Sequence, residues 1–193
     1  MTRESEIVEL LKKREALLHG HFGLSSGKHS NVYVQCALAT EYAEDAEKIA
    51  HAIKEKLEEN NIHPDVVVGP AMGGIIIGYE LARALGVRSV FAERKEGKMC
   101  LRRGFKIEKG EKVLICEDVV TTGKSSLETA AVIEEQGGEV LGIGAIVDRT
   151  KQTPPLPVFA AIKLEADIFE PEDCPLCKEN VPMVQPGSRF LKK

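Results

Sequence analysis

No apolar run in the 193 residues reaches the length that crosses a bilayer. The opening Met1-Thr2-Arg3-Glu4-Ser5-Glu6 has no apolar signal-peptide core, so a soluble cytoplasmic protein with no membrane partner is expected. A basic field is missing as well. The net charge is −4, and proteins that hold nucleic acid by its phosphate backbone show the opposite sign, so nucleic acid is not an expected partner. Cysteines number only five and are mostly scattered, which fits a reducing compartment and excludes a disulfide framework. Cys174-Pro175-Leu176-Cys177 is half of a zinc site. A structural reading is preferred for it unless Cys36, Cys100, Cys116 or a neighbouring subunit completes the set. Repeats and low-complexity tracts are absent. One α/β domain with a substantial core remains.

The most informative stretch runs from Val113 to Ser126. Val113 to Cys116 have the β-branching and length of a buried strand, which is expected to end where Glu117 and Asp118 arrive together. After Val119 and Val120 come Thr121, Thr122, Gly123, Lys124, Ser125 and Ser126, leading into a helical period from Leu127 to Gln136 that Gly137-Gly138 stops. Free N–H groups at a helix start would hold a phosphate monoester, with hydroxyls as further donors. Adjacent carboxylates cannot serve that phosphate. They suit the vicinal hydroxyls of a sugar or a hydrated magnesium ion.

Elsewhere the pattern is amphipathic. Ile7, Leu10, Leu11, Leu17 and Leu18 mark an N-terminal helix, broken by Gly20, Gly23 and Gly27; Val32-Tyr33-Val34 reads as a strand. His19, His21 and His29 match no common ligand spacing and are expected at the surface. Glu44 to Asn60 is a helix with Ala46, Ile49, Ile53 and Leu57 on its inner stripe. Asp65 to Val68 begins the sheet, and in Gly69-Pro70-Ala71-Met72-Gly73-Gly74 the residues Met72, Gly73 and Gly74 could aim N–H groups at an anion before a helix from Ile75 to Leu85. Arg88 to Ala92 is a further strand. Between Glu93 and Lys112 lie Arg94, Lys95, Lys98, Arg102, Arg103, Lys106 and Lys109, the composition of a mobile lid over polyphosphate. Val140 to Val147 is a buried strand whose end places Arg149 on the same crevice as the acids, and Val158 to Ile162 closes the sheet.

The run Glu117-Asp118-Val119-Val120-Thr121-Thr122-Gly123-Lys124-Ser125 resembles the phosphoribosyl pyrophosphate (PRPP) signature of the type I phosphoribosyltransferases, in letters and in strand context. His19 to Ser30 resembles the hood of one branch, the orotate phosphoribosyltransferases. The resemblance implies a central, mostly parallel sheet flanked by helices, in a single domain 1–193. Its hood would comprise mainly 1–40 with the tail 165–193, over a core 41–164. It implies PRPP contacts from Met72, Gly73, Gly74, Arg94, Lys95, Lys98 and the whole run from Glu117 to Ser125. Orotate contacts would come from Ser25, Tyr33, Val34, Thr121 and Arg149. Lys98, Glu117 and Asp118 would be catalytic, and Mg2+ would sit with Glu117 and Asp118, through water or PRPP. A homodimer is implied, with lid loop 93–112 entering the neighbouring site. Where many relatives have a hood lysine this chain has Ser25, with Lys28 as a substitute, and Met99, Cys100 and Leu101 stand where a lid histidine is usual. Purine or uracil phosphoribosyltransferases, and PRPP-sensing regulators that bind nucleic acid, share parts of this pattern.

Overall fold

The computed structural model describes residues 2–24 and 26–186. Ser25 and the final residues 187–193 lie outside them, and with them the expected Ser25 contact. Two sheets organise the chain. The larger has six strands in the order β5-β4-β3-β6-β7-β8 and the smaller four, β10-β1-β2-β9.

In the larger sheet, β3 (Val66–Pro70), β4 (Arg88–Lys95), β6 (Lys112–Val120), β7 (Glu139–Asp148) and β8 (Val158–Lys163) are parallel, and β5 (Lys98–Leu101) is an antiparallel edge. Parallel strands need coverage on both faces, and alternation along each strand supplies apolar residues to both. Val67 of β3 and Leu114 and Cys116 of β6 pack with α3 (Ala43–Glu59) and α4 (Gly73–Leu85), through Ile49, Ile53, Ile77 and Leu81. Val66, Val68, Val113 and Ile115 turn the other way, toward Ala130 and Ile133 of α5 (Lys124–Glu135). The acid pair inherits this alternation.

The hood departs from the sequence expectation. α1 (Arg3–Lys13) stops at Arg14, because Glu15 takes a left-handed conformation at φ 54°, and Leu17 and Leu18 open β1 (Leu17–Gly23) rather than continuing the helix. β1 pairs antiparallel with β2 (His29–Val34). Ile7 and Leu11 of α1, with Leu17 and Val32, join the same core as α3 and α4, so the hood is packed onto the sheet. Each of those fully buried side chains contributes about 1.5–3 kcal/mol through area removed from water. Arg14 donates to the buried Asp45 at 2.6 Å and lies over the Tyr42 ring at 3.6 Å, a polar anchor beside the apolar one. After α2 (Ala37–Thr40) the chain enters the core. The tail returns from it through β9 (Ile168–Phe169), a short 3-10 turn, α6 (Pro175–Lys178) and β10 (Met183–Val184), adding strands to both edges of the hood sheet.

Candidate active site

The acids sit within β6, which runs on to Val120 instead of ending at Cys116. Pairing with β7 continues past them, with Glu117 opposite Ala145 and Val120 opposite Asp148, and this ladder keeps the strand extended. Consecutive strand residues face opposite sides, so the two carboxylates are not a side-by-side pair. Glu117 turns toward α5, where it accepts a hydrogen bond from Ser126 Oγ at 3.4 Å. Asp118 turns toward α4, and a Cβ added to Gly73 would overlap its carboxylate. Gly74 is similarly confined by the Cys116 carbonyl, and Gly69 by the backbone of Gly74. These glycines therefore let the β3–α4 loop close onto its own sheet, a requirement that exists before any anion is considered. Met72, at the tip, is 83 % exposed, and the Ala71–Met72 peptide is cis.

Burial raises the Glu117 carboxyl to about 7, with the charge of Asp118 adding to the shift and the Ser126 bond opposing it. Asp118 is also raised by burial, against the N–H of Val119, which it accepts at 2.8 Å. Neither acid has a cationic partner among the described residues. Two buried, uncompensated carboxylates on either side of one strand end fit a ligand that brings positive charge or hydroxyl donors. A hydrated Mg2+ ion is one such ligand.

Val120 leads into Thr121 and Thr122, both exposed, then Gly123 at φ 71° and the first turn of α5. The helix begins at Lys124, three residues before the apolar period starts. Gly123 occupies the cap position without a side chain to cap it, and Leu127 is the first N–H to close back, on the Gly123 carbonyl at 2.8 Å. The Lys124 N–H reaches Thr122 Oγ1 at 3.4 Å, and the Ser125 and Ser126 N–H groups are left for a ligand. A small cavity of about 80 Å3 lies here, lined by Glu117 and by Val119 through Ser126.

A larger cavity of about 630 Å3 adjoins it, sharing Thr121 and Thr122 and lined also by Leu24, Ser26, Arg149, Ala166 and Ile168. Arg149 follows β7 and is fixed by its N–H, which donates to the Val120 carbonyl at 2.8 Å. Its guanidinium is half-buried, makes no ion pair among the described residues, and is lowered in pKa by burial. Asp148, the neighbour that could have neutralised it, instead accepts the Thr150 N–H. Tyr33 and Val34 do not line this cavity: Tyr33 lies against Phe22 with ring centroids 5.6 Å apart. Their strand end still reaches the site, since Cys36 Sγ lies 3.8 Å from the Asp118 carbonyl. Lys28 is paired with Glu170 at the surface. The wall formed by Lys151, Gln152, Thr153, Pro154 and Pro155 carries no motif that marks it in the sequence.

The expected lid loop is partly a hairpin. β4 extends to Lys95 and β5 returns from Lys98, pairing Arg94 with Met99 around a Glu96-Gly97 turn. Met99 and Ile107 are buried, so the basic segment is anchored at two points rather than free along its length. Arg94 ion-pairs with Glu128 of α5 in the same chain and donates to the Gly97 carbonyl at 3.1 Å. Lys95 and Lys98 are exposed at the tip.

Comparison with known proteins agrees with this geometry. A family model described as the phosphoribosyl transferase domain matches residues 40–175. An orotate phosphoribosyltransferase of Caldanaerobacter subterraneus subsp. tengcongensis is 49% identical over 190 residues, 97% of this chain and 99% of that protein. Among solved structures, the orotate phosphoribosyltransferase from Aeropyrum pernix superposes with a TM-score of 0.67 at 24% identity, covering 82% of this chain and 93% of that one. The Mycobacterium tuberculosis enzyme, solved in complex with PRPP, gives 0.65 at 25% identity, covering 84% and 97%. The chain belongs to the phosphoribosyltransferase family, in its orotate phosphoribosyltransferase branch. No helix among the described residues is long and apolar enough to cross a membrane.

Proposed function

We propose that the chain transfers the phosphoribosyl group of PRPP to orotate, giving orotidine 5′-monophosphate and pyrophosphate in pyrimidine synthesis. The observation that carries this reading is Arg149, a half-buried guanidinium without an acidic partner, facing a cavity that opens onto the anion loop. Orotate differs from other pyrimidines by its carboxylate. A guanidinium fork receives that group through two parallel charge-assisted hydrogen bonds, and Thr121 reaches the same space.

In this mechanism the N–H groups of the α5 start and the hydroxyls from Thr121 to Ser125 bind the 5′-phosphate, with Gly123 and Lys124 in the same loop and Val119 and Val120 leading into it. Glu117 and Asp118 approach the ribose from opposite faces of β6 and stabilise the positive charge that grows on the ring as the bond to pyrophosphate breaks. The nucleobase nitrogen then forms the new bond to the anomeric carbon as its proton leaves with the released pyrophosphate and water, and no covalent enzyme intermediate is needed. Mg2+, held near Glu117 and Asp118 through water or PRPP, would neutralise charge on the diphosphate. Met72, Gly73 and Gly74 offer backbone to that diphosphate from the other side of the crevice.

Lys98, with Arg94 and Lys95, serves the leaving group from the hairpin, and the segment 93–112 acts across a homodimer. The exposed Ile76 and Tyr79 of α4, beside an apolar cavity lined also by Phe91 and Phe105, support a self-association surface. The chain works as one domain, a hood from 1–40 and 165–193 over a core 41–164, in the cytoplasm. Ser25 and the backbone around Tyr33 and Val34 are further proposed orotate contacts from the hood.

Loss of orotate absorbance with PRPP and Mg2+ tests the reading. Adenine, hypoxanthine and uracil should release no pyrophosphate. Turnover of uracil equal to that of orotate would overturn the assignment.

A further inference from the structure

His21 and His29 are buried, against expectation, and only His19 of the three hood histidines is exposed. β1 and β2 bring the two buried rings together with their centroids 4.9 Å apart. The tail then delivers Cys174 and Cys177 to the same point, so that one ligand atom from each of the four lies within 4.8 Å of all the others. The partners that complete the cysteine pair are therefore histidines of the hood and not Cys36, Cys100 or Cys116. We propose that His21, His29, Cys174 and Cys177 form a structural zinc site that fastens the C-terminal tail to the hood.

The spacing is close to that of a tetrahedron. Zinc bonds of about 2.3 Å to sulfur and 2.0–2.1 Å to nitrogen give ligand-to-ligand edges of roughly 3.3–3.8 Å. From His21 Nε2, Cys174 Sγ lies 3.6 Å away, Cys177 Sγ 3.7 Å and His29 Nδ1 3.0 Å, while Cys177 Sγ is 3.3 Å from His29 Nδ1. Hydrogen bonding does not account for this convergence. His21 Nδ1 lies 2.8 Å from the Val181 carbonyl, which can only accept, so that nitrogen carries the proton and Nε2 has a single lone pair. Three atoms face that lone pair. A cation at the centre instead takes one pair from each group, and the Val181 bond orients the ring as outer partners of metal-bound histidines do. Two sulfur and two nitrogen ligands select zinc over harder cations, and four protein ligands close the site to substrate.

The tail supplies an independent argument. Between Lys163 and Pro186, Cys174 is the only buried residue, so the segment has almost no core of its own. Its pairings are two residues long at each hood edge: Ser30 with Ile168 and His29 with Phe169 on one side, His21 with Met183 and Phe22 with Val184 on the other. Ordering more than twenty residues against chain entropy with so little burial calls for a staple, the usual role of a structural metal in small or core-poor segments. The site is also three residues from Leu24, and β9 carries Ile168; both line the large cavity. If the orotate reading holds, losing the metal should raise KM for orotate more than for PRPP.

Zinc content and a cobalt spectrum test the site without reference to activity. Full-length protein from zinc-supplemented medium should contain one zinc per chain. After removal by a chelator, titration with Co2+ should give tetrahedral visible bands and a thiolate charge-transfer band that saturate at one equivalent. Chelation should lower Tm by about 5 °C or more, reversed by Zn2+. Cys174→Ser and His29→Ala should lose these signals, whereas Cys177→His, which keeps a ligand, should retain one cobalt per chain with weaker charge transfer. Zinc below about one-tenth per chain together with no cobalt spectrum from the wild-type chain would overturn the proposal. So would a native Cys174–Cys177 disulfide in non-reducing mass analysis. Because the titration uses wild-type protein, failure of any variant to fold leaves the test intact.

Discussion

The crest of the six-stranded sheet and the hood sheet above it build their sites in contrasting ways. At the crest, the acids, the hydroxyl loop and the helix start come from ten consecutive residues, Glu117 to Ser126, and their geometry follows from one strand running into one helix. In the hood, a comparable concentration of polar groups is assembled from two strands and a distant tail, with Cys174 153 residues beyond His21. The crest site rests on β6, which β3 pairs as far as Ile115 and β7 pairs on to Val120. On its tail side the hood cluster has thin support, two-residue strands and little core, and depends on what its own ligands hold. The large cavity lies where the two regions meet, with Thr121 and Arg149 from the core facing Leu24 from the hood.

If the crest is the chemical half, its variants should lose turnover without losing fold. Asp118→Ala and Lys98→Ala should each reduce kcat about 10²- to 10³-fold with Tm near that of the parent chain. In mixed dimers of the two variants, one site of each heterodimer keeps both residues if the hairpin acts across the interface, so activity should return. Hybrids as inactive as the parents would show that each chain uses its own Lys98.

A smaller effect is expected at the boundary. Arg149→Ala removes a charge-assisted contact of roughly 1.5–3 kcal/mol, so KM for orotate should rise about 10- to 150-fold while KM for PRPP stays within about twofold. Steady-state kinetics with each substrate varied in turn measures this. Equal increases in both constants would place Arg149 outside the base site.

The smallest effect concerns how the hood is anchored at its N-terminal side. Burial pushes the Asp45 carboxyl up, but hydrogen bonds from Arg14 and Lys48 outweigh it and the net shift is downward. A carboxyl with a folded-state pKa below its unfolded value contributes stability above the unfolded pKa, about 3.9. That contribution disappears as the pH falls through the folded value. Asp45→Asn should therefore lower Tm by a few degrees at pH 7, and the gap to wild type should close as the pH falls below about 4. Thermal melts at four or five pH values check the trend, and a gap that widens in acid would contradict the assignment of Arg14 and Asp45 as partners.

Legibility in the sequence tracks this contrast. Order and type of the core elements were readable, because β-branched runs, glycine turns and amphipathic periods are local signals. The errors there are of extent: β6 runs past the acids because β7 pairs with it, and β4 runs to Lys95 because β5 folds back on it. The first extension comes from a partner strand that no local window contains, the second from a hairpin that closes over Glu96 and Gly97. Arg149 could be placed at a strand end, but its lack of an acidic partner emerged only when Asp148 was seen bonded to the Thr150 N–H. The hood histidines looked like surface residues because their spacing matches no ligand motif. That spacing became meaningful only through the β1–β2 register, which sets His29 opposite Gly23 and brings its ring against that of His21.

The crest chemistry was thus written into contiguous residues, since a strand followed by a glycine turn and a helix start orients its own N–H groups and acids whatever surrounds it. Which face each carboxylate takes, what lies across the cavity from Arg149 and which side chains meet the tail cysteines depended on pairings between segments far apart in the chain. Such contacts form when burial and backbone hydrogen bonding select one arrangement of whole elements, and local composition carries no record of that selection.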